Sequence, residues 1–192
     1  MPHQATTRAA ERTARSKCAT AELQLSLVAP VYDEKDNLEP LYQRVLEVFG
    51  ERVNWELVLV DDGSTDGSTE VMRALARRDP RVRCIVFTRN CGQTTAMRVG
   101  IHSSRAPLVA TLDADLQNDP ADLPEMIERL GANDAVVGYR VKRNDNFVRR
   151  VSSKIANAVR NWLSADSIRD TGCSLKVFRA PAIREIPLHF EG

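Results

Sequence analysis

The chain has 192 residues, of which 43% are hydrophobic and 28% charged, a composition typical of an ordinary globular domain. Its formal net charge of +1 provides no global field that would attract nucleic acid, and no apolar run approaches the ~20 residues that cross a bilayer. The four cysteines form no C-x-x-C pair, so they give neither a zinc spacing nor a convincing disulfide framework, which favours a reduced, cytoplasmic setting.

The first 22 residues are rich in Ala, Thr and Arg without periodicity, which predicts a disordered lead-in. From residue 23 onwards, short apolar runs alternate with amphipathic segments, the pattern of an α/β domain with a mostly parallel sheet and right-handed crossovers. Strands are predicted at 23–30, 55–60, 82–87, 108–112, 134–138 and 174–178, the last of them at an edge of the sheet.

Helices are predicted between these strands from their apolar spacing. The first has Asn37 as its cap, apolar positions from 38 to 49, and Gly50 at its end. The others are predicted at 71–76, at 90–100, after Pro120, and at 147–163 and 180–185. In the segment 90–100 the small residues Gly92, Ala96 and Gly100 are four apart, which predicts a face that packs closely on its neighbours.

Polar clusters follow three of the predicted strands, at residues 32–37, 61–66 and 113–117. Because open α/β sheets bind ligands at the carboxyl ends of their strands, we expect the three clusters to converge on one edge of the sheet. The charge is also uneven: residues 113–128 contain acids and no base, whereas 140–160 are strongly basic. This pattern suits a metal-bound phosphate ester beside a second anion, and solvated helix faces are the alternative.

Asp113 and Asp115 follow the apolar run 108–112 at a spacing of two. If the strand continues through them, both side chains point to one face, because strand side chains alternate. Two carboxylates held together there suit a divalent cation that carries a phosphate ligand. The alternative is a polar strand end followed by a helix that Asp119 and Pro120 open.

The second cluster contains Asp61, Asp62, Gly63 and Ser64. Either aspartate is able to accept a hydrogen bond from a base or a ribose, and Gly63 lets the backbone approach a ligand closely. Read alone, the same residues are an ordinary turn. The chain contains neither G-x-x-x-x-G-K-[ST] nor G-x-G-x-x-G, so a diphosphate would be held by metal and arginine rather than by a glycine loop.

Six segments in this order carry a resemblance: 30–37 (PVYDEKDN), 60–66 (VDDGSTD), 90–96 (NCGQTTA), 113–120 (DADLQNDP), 138–140 (GYR) and 170–176 (DTGCSLK). Together they resemble the family 2 glycosyltransferases, and within them the polyprenyl-phosphate glycosyltransferases of the dolichol-phosphate mannosyltransferase type. The resemblance implies a GT-A fold over residues 23–192. It also implies inverting transfer of a sugar from a UDP- or GDP-sugar to a polyprenyl phosphate, by a peripheral enzyme at the cytoplasmic membrane face.

The resemblance also implies roles for residues at matching positions. Those predicted to contact the nucleotide-sugar are Pro30, Tyr32, Glu34, Asp61, Asp62, Asp113 and Ala114. Asp115 and Gln117 would hold Mg²⁺ or Mn²⁺, and Arg140 and Arg149 would face the acceptor phosphate, so the catalytic set would be Asp113, Asp115 and Arg140. Asn118 departs mildly from the branch, which often has an acidic residue there, and this departure leaves the metal ligands in place.

The segment 147–163 predicts a basic amphipathic helix that rests on an anionic lipid surface, or else a core helix with a solvated arginine face. Three alternative functions stay open at this point. A haloacid-dehalogenase-like phosphatase shares the D-x-D pattern but expects Thr or Val where Gln117 stands, and a sugar-nucleotide pyrophosphorylase needs a glycine-rich loop that the chain lacks. Because the chain stops at Gly192, soon after the last motif, a truncated fragment that binds nucleotide-sugar without turnover is the third.

Overall fold

A computed structural model of the chain describes residues 22–138 and 174–186. The predicted lead-in at 1–22 lies outside these ranges apart from its last residue. Arg140, Arg149 and the predicted helix at 147–163 also lie outside the described residues. Within the described ranges, no helix combines the length and the apolar content that a membrane span requires.

Six strands form one mixed sheet in the order β3-β2-β1-β4-β6-β5. They are β1 (Leu25–Val31), β2 (Trp55–Asp61), β3 (Val82–Val86), β4 (Leu108–Thr111), β5 (Ala135–Val137) and β6 (Lys176–Arg179). The first four pair in parallel, whereas β6 runs antiparallel to both β4 and β5. Every residue of β1 and β2 is buried, which explains their almost unbroken apolar runs, because both faces of a central parallel strand are covered.

The prediction that the last strand lies at an edge is wrong. β6 lies between β4 and β5, and Val177 pairs with Ala110 on one side and Val136 on the other. Val177 is fully buried, and among the described residues the strand at this edge of the sheet is the three-residue β5. The alternating pattern of β6 shows which side chains point inward, but it carries no information on whether the backbone has one neighbouring strand or two.

The helices form a layer on each face of the sheet. They are α1 (Lys35–Phe49), α2 (Ser68–Arg78), α3 (Gln93–Ser103), α4 (Leu123–Leu130) and α5 (Ala180–Glu185), with a 3₁₀ turn at Pro120–Asp122. Apolar side chains of α1, α2 and α4 share one core with the odd-numbered residues of β1. Those of α3 and α5 form a second core on the opposite face with Val28, Val58 and Val109. The sheet is therefore covered on both sides.

Helix α1 begins earlier than predicted, so Asn37 lies inside its first turn and is not its cap. The backbone N–H groups at the start are satisfied from another loop: Glu34 N donates to Ser68 Oγ and Lys35 N to Asp66 Oδ2, both at 3.0 Å. A helix whose first N–H groups already have partners needs no local cap. The predicted end is confirmed, because Gly50 adopts φ 49° and donates its N–H to Leu46 O.

The predicted close packing of the small-residue face is confirmed at Gly100. A Cβ atom added there would lie 2.4 Å from Val28 Cγ1 and 3.1 Å from Val60 Cγ2. Helix α3 therefore lies directly on β1 and β2, with no space for a methyl group between them. This contact sets the position of the whole helix relative to the sheet, including its first residue, Gln93.

Glu56 is buried at the end of β2 opposite to the polar clusters. It accepts hydrogen bonds from Ser26 Oγ (2.7 Å), the Arg105 backbone N–H (2.8 Å), Arg105 Nε (2.9 Å) and Arg83 Nη1 (3.1 Å). Burial alone would raise the pKa of Glu56, but these hydrogen bonds hold the pKa below its ordinary value. The ionised carboxylate therefore ties β1, β2, β3 and the segment before β4 together.

We expect Gly100→Ala to lower the free energy of unfolding by about 1–2 kcal/mol. The added methyl overpacks the α3–sheet contact, which outweighs the better helix propensity of alanine. Urea denaturation measures the loss. Because the clash involves Val28, the same substitution should cost about 1 kcal/mol less in a Val28→Ala background, and equal costs in both backgrounds would contradict the packing argument.

We expect Glu56→Gln to lower the free energy of unfolding by about 3 kcal/mol at pH 7, because it breaks a buried charge pair. A depressed folded pKa stabilises the native state above the pKa of the unfolded chain, and this contribution disappears as the pH falls through the folded pKa. The difference between wild type and variant should therefore narrow below about pH 4.5. Glu125→Gln is the control, since its pair with Arg129 is exposed and should contribute less than about 0.5 kcal/mol.

Candidate active site

A pocket of about 420 Å³ lies at the carboxyl ends of β1, β2 and β4. Its walls come from four segments of the chain: Pro30 and Val31 at the end of β1 with Tyr32 and Glu34 after it; Asp62 after β2; Asn90, Gly92 and Gln93 before and at the start of α3; and Asp113, Ala114 and Asp115 after β4. The predicted convergence of the three polar clusters is therefore confirmed, since each of them contributes lining residues.

The loops that follow β1 and β2 are joined by reciprocal hydrogen bonds. Asp33 N donates to Ser64 Oγ at 3.0 Å, and Thr65 N donates to Asp33 Oδ1 at 2.7 Å. Asp33 adopts φ 53°, an uncommon conformation that these contacts maintain. They hold Tyr32, which is half exposed, and Glu34 at the mouth of the pocket.

Asp66 strengthens the same junction between the two loops. Its carboxylate accepts hydrogen bonds from the Ser68 side chain and from the backbone N–H groups of Ser68 and Lys35. Desolvation would raise the pKa of Asp66, but these hydrogen bonds hold the pKa below its ordinary value. The residue is therefore ionised at neutral pH and keeps the start of α1 next to the start of α2.

The two neighbouring aspartates at the end of β2 lie in different environments. Asp61 is fully buried, accepts hydrogen bonds from Ser64 N (2.8 Å) and Thr69 Oγ1, and does not line the pocket. Asp62 lines the pocket, and its carboxylate also accepts hydrogen bonds from Cys91 N at 2.7 Å and from Gly92 N at 2.9 Å. Of these two predicted residues, Asp62 lines the pocket, whereas the described contacts of Asp61 lie within the loop.

Strand β4 ends at Thr111, one residue before the predicted end, so it does not continue through both carboxylates and the alternative of a polar strand end applies. Its ladder with β6 ends at the Thr111–Lys176 pair, and Thr111 Oγ1 then donates to Ser174 O. Asp113 instead lies between the strand and a turn that contains Asp115, in which Asp115 Oδ1 accepts a hydrogen bond from Gln117 N at 3.0 Å. Both carboxylates still line the pocket, but Gln117 is exposed and is not part of its lining.

Asp119 connects this turn to α1 and opens the next helix. Its carboxylate accepts a hydrogen bond from Ala121 N at the start of the 3₁₀ turn, as the polar-cap interpretation predicted. It also receives two hydrogen bonds from Arg44, at 2.8 and 2.9 Å, which hold the pKa of Asp119 below its ordinary value. The segment after the D-x-D pair is therefore anchored at both of its ends.

The pocket carries a concentrated negative charge. Glu34, Asp62, Asp113 and Asp115 line it, and no lysine, arginine or histidine is among its described lining residues. Residues 22–138 and 174–186 contain no group of three or more His, Cys, Asp or Glu side chains that would hold a metal ion alone. Mg²⁺ and Mn²⁺ fit such a site, because these oxygen-preferring ions are commonly bound by one or two carboxylates while substrate phosphates and water complete the shell.

Sequence reasoning missed the contribution of the segment before α3. Asn90, Gly92 and Gln93 line the pocket, and Gln93 Nε2 donates to Asp113 Oδ1 at 3.1 Å. A signal for this was present, since the segment follows the predicted parallel strand β3, and its polar residues therefore had to emerge at the same edge of the sheet. The small residues of this segment predict close helix packing, and that pattern gives no indication of a pocket.

The family model described as "Glycosyl transferase family 2" matches residues 26–186. The dodecaprenyl-phosphate galacturonate synthase of Rhizobium johnstonii is 40% identical over 171 residues, which are 86% of this chain and 51% of that protein. The undecaprenyl-phosphate 4-deoxy-4-formamido-L-arabinose transferase of Edwardsiella ictaluri is 38% identical over 165 residues, 83% of this chain and 50% of that protein. The chain thus spans about half the length of the curated relatives it matches.

Solved structures support the fold independently. The mannosyltransferase PcManGT from Pyrobaculum calidifontis, in complex with GDP-Man and Mn²⁺, superimposes with a TM-score of 0.61 at 22% identity. The match covers 88% of this chain and 49% of that one. The chain has the GT-A fold, as predicted, with a mostly parallel sheet between layers of helices.

We expect Gly63→Ala to destabilise the loops of the pocket by more than the backbone strain of a positive φ alone would cause. A Cβ atom at Gly63 would lie 2.6 Å from Arg89 C and from Asn90 N, and these backbone atoms cannot rotate away. The free energy of unfolding should fall by about 3 kcal/mol in urea denaturation. Hydrogen exchange at the Cys91 and Gly92 amides should also accelerate, because their hydrogen bonds to the Asp62 carboxylate would be weakened.

Gly67→Ala is the matched control for this substitution. Gly67 also has a positive φ, of 97°, but a Cβ atom there would contact only the flexible Lys35 side chain, at 3.5 Å or more. Its cost should be limited to the conformational penalty of about 1–2 kcal/mol, and exchange at Cys91 should stay unchanged. Equal effects of the two substitutions would contradict a specific contact between the loops.

Proposed function

The chain belongs to glycosyl transferase family 2, and from this premise we propose that it transfers a sugar from a nucleoside-diphosphate sugar to a polyprenyl phosphate. The proposal of the acceptor draws on the two curated relatives, whose names describe enzymes of dodecaprenyl and undecaprenyl phosphate. Membership of this family is incompatible with the phosphatase and pyrophosphorylase alternatives. The site of transfer would be the membrane surface that faces the cytoplasm, with the protein bound peripherally.

One observation carries this function: four carboxylates and no described cationic side chain line a pocket at the carboxyl edge of a GT-A sheet. A diphosphate is itself anionic, so it would be repelled from this pocket unless a divalent cation lay between them. PcManGT, which has the same fold, was solved with GDP-Man and Mn²⁺ together. The acidic pocket is therefore a reason to expect metal-dependent binding of a UDP- or GDP-sugar.

We assign roles to the lining residues from their positions. Tyr32, Glu34 and Asp62, with Pro30, would form the nucleotide side of the pocket, and Asp113 with Ala114 would lie at the sugar and diphosphate end. Asp115 would be the principal ligand of Mg²⁺ or Mn²⁺. Gln117, whose backbone N–H already binds Asp115, would be the second ligand if its exposed side chain turned inward.

The chemistry required of the chain is mainly positioning and charge placement. The bound divalent cation would stabilise the charge that develops on the departing diphosphate. The acceptor phosphate is anionic at neutral pH and attacks from the opposite face, which inverts the configuration, so no dedicated general base is needed. The described pocket agrees with this, since His102, the histidine within residues 22–138, lies near the end of α3 and contacts Arg98 O instead.

Arg140 and Arg149 remain the proposed partners of the acceptor phosphate, from the resemblance alone. Cations on that side would let one anion approach another without repulsion. The helix predicted at 147–163 would then lie near the lipid surface. An alternative function is nucleotide-sugar binding without turnover, since no cationic side chain for an acceptor phosphate is among the described lining residues of the pocket.

Thermal unfolding with UDP or GDP, with and without Mn²⁺, tests the proposed donor site. We expect one of the two nucleotides, near 100-fold its Kd, to raise the Tm by about 5 °C in the presence of Mn²⁺ and much less without it. Asp115→Asn should remove the Mn²⁺-dependent part while the unliganded Tm stays within about 2 °C. Asp122→Asn, an exposed carboxylate outside the pocket, is the control and should keep the full shift.

Transfer to polyprenyl phosphate in detergent then separates turnover from binding. The wild type and Asp122→Asn should both form the glycosylated lipid, and Asp115→Asn should lose at least about 100-fold in rate, the scale of a lost electrostatic contact to the transition state. Binding without any transfer by the wild type would favour the alternative function. No Mn²⁺-dependent shift with either nucleotide would overturn the donor site itself.

A further inference from the structure

The geometry assigns to Gln93 a part in donor binding: we propose that its side-chain amide positions Asp113 and thereby controls affinity for the sugar-diphosphate end of the donor. This inference rests on the proposed function and deepens it. Gln93 Nε2 donates to Asp113 Oδ1 at 3.1 Å, and both side chains line the pocket. Gln93 is a positioning residue, because it would act through Asp113.

The segment that carries Gln93 joins two walls of the pocket. In the sheet, β1 lies between β2 and β4, so Asp62 and Asp113 stand on opposite sides of the end of β1. Asp62 binds the backbone N–H groups of Cys91 and Gly92, and the next residue, Gln93, binds Asp113. Residues 91–93 therefore bridge the two carboxylates across Pro30 and Val31, which line the pocket between them.

The backbone is fixed on both sides of Gln93, by hydrogen bonds before it and by helix packing after it. Gly92 N is held by Asp62 and also by Asn90 Oδ1, and the α3 helix that Gln93 begins is pressed onto β1 and β2 at Gly100. A side chain on the first residue of a fixed helix samples little backbone motion. Its hydrogen bond therefore restricts Asp113, which lies outside any strand or helix.

A neutral amide side chain suits position 93 better than a charged side chain. Lysine or arginine would pair with Asp113 and compete with a divalent cation for the carboxylate, whereas an acid would add a fifth negative charge to the pocket. The amide fixes one oxygen of Asp113 and leaves the charge of the carboxylate in place. Among the described residues, the amide oxygen of Gln93 accepts no hydrogen bond, so it is available to accept one from a hydroxyl group of the nucleotide-sugar.

The experiment compares wild type, Gln93→Leu and Gln93→Glu in the full chain. Calorimetry measures the Kd of UDP or GDP, whichever the wild type binds, with Mn²⁺, and transfer kinetics separate the donor KM from kcat. We expect Gln93→Leu to raise Kd and donor KM about tenfold, as for the loss of one hydrogen bond to a charged group, with kcat within about twofold. Gln93→Glu should weaken binding further, because like charges would face each other.

Gln43→Leu and Gln43→Glu are matched controls. Gln43 Nε2 donates to Glu39 Oε1 at 2.8 Å on the exposed face of α1, which is the same kind of amide–carboxylate pair outside the pocket. Both controls should leave Kd, donor KM and kcat unchanged. The Tm of the Gln93 variants should stay within about 2 °C of the wild type, so that a loss of affinity is not a loss of folded protein.

The outcomes distinguish this inference from the proposed function. If the wild type binds neither nucleotide with Mn²⁺, the proposed function is overturned. If it binds and Gln93→Leu binds within twofold of it, the assignment of Gln93 is overturned while the function stands. A similar loss in the Gln43 variants, or a fall in Tm that accounts for the lost binding, would also overturn the assignment.

Discussion

The pocket depends on aspartate side chains that bind the backbone N–H groups of neighbouring loops. Asp33 and Asp66 join the loop after β1 to the loop after β2, and Asp62 holds the segment before α3. Loops at the end of a sheet have polar backbone groups without ladder partners, so each group needs another acceptor or water. Carboxylates supply these acceptors here, and the walls of the pocket are therefore fixed relative to one another.

The same residue type consequently serves two purposes at one edge of the sheet. Asp61 and Asp66 are committed to loop structure, whereas Asp113 and Asp115 line the pocket with one described hydrogen bond each. Asp62 belongs to both groups. This division explains how a strongly acidic edge remains folded, since part of its negative charge is stabilised by N–H groups while the rest faces the pocket.

The opposite end of the sheet has a different electrostatic design. There, Glu56 is buried against Ser26 and two arginines, and Arg81 stacks on the Trp55 ring at 4.4 Å while it binds Asp79. Among the residues that the structure describes, Glu56 and Asp79 are thus paired with arginines at this end, unlike the carboxylates that line the pocket. The contrast between a paired end and an acidic end makes the carboxyl edge the place where a metal-bound anion would be favoured.

The sequence by itself determined the alternation of strands and helices, the convergence of three polar clusters, the close contact at Gly100 and, through six ordered segments, the family. The first three follow from periodicity, steric size and the geometry of parallel strands, whereas the family follows from the resemblance of the ordered motifs. Only the tertiary structure decided that β6 is internal, that α1 is capped from another loop, that Asp61 is structural and that Gln93 reaches Asp113. Each of these depends on which residue supplies a hydrogen-bond partner from a distant part of the chain, and no local pattern encodes that choice.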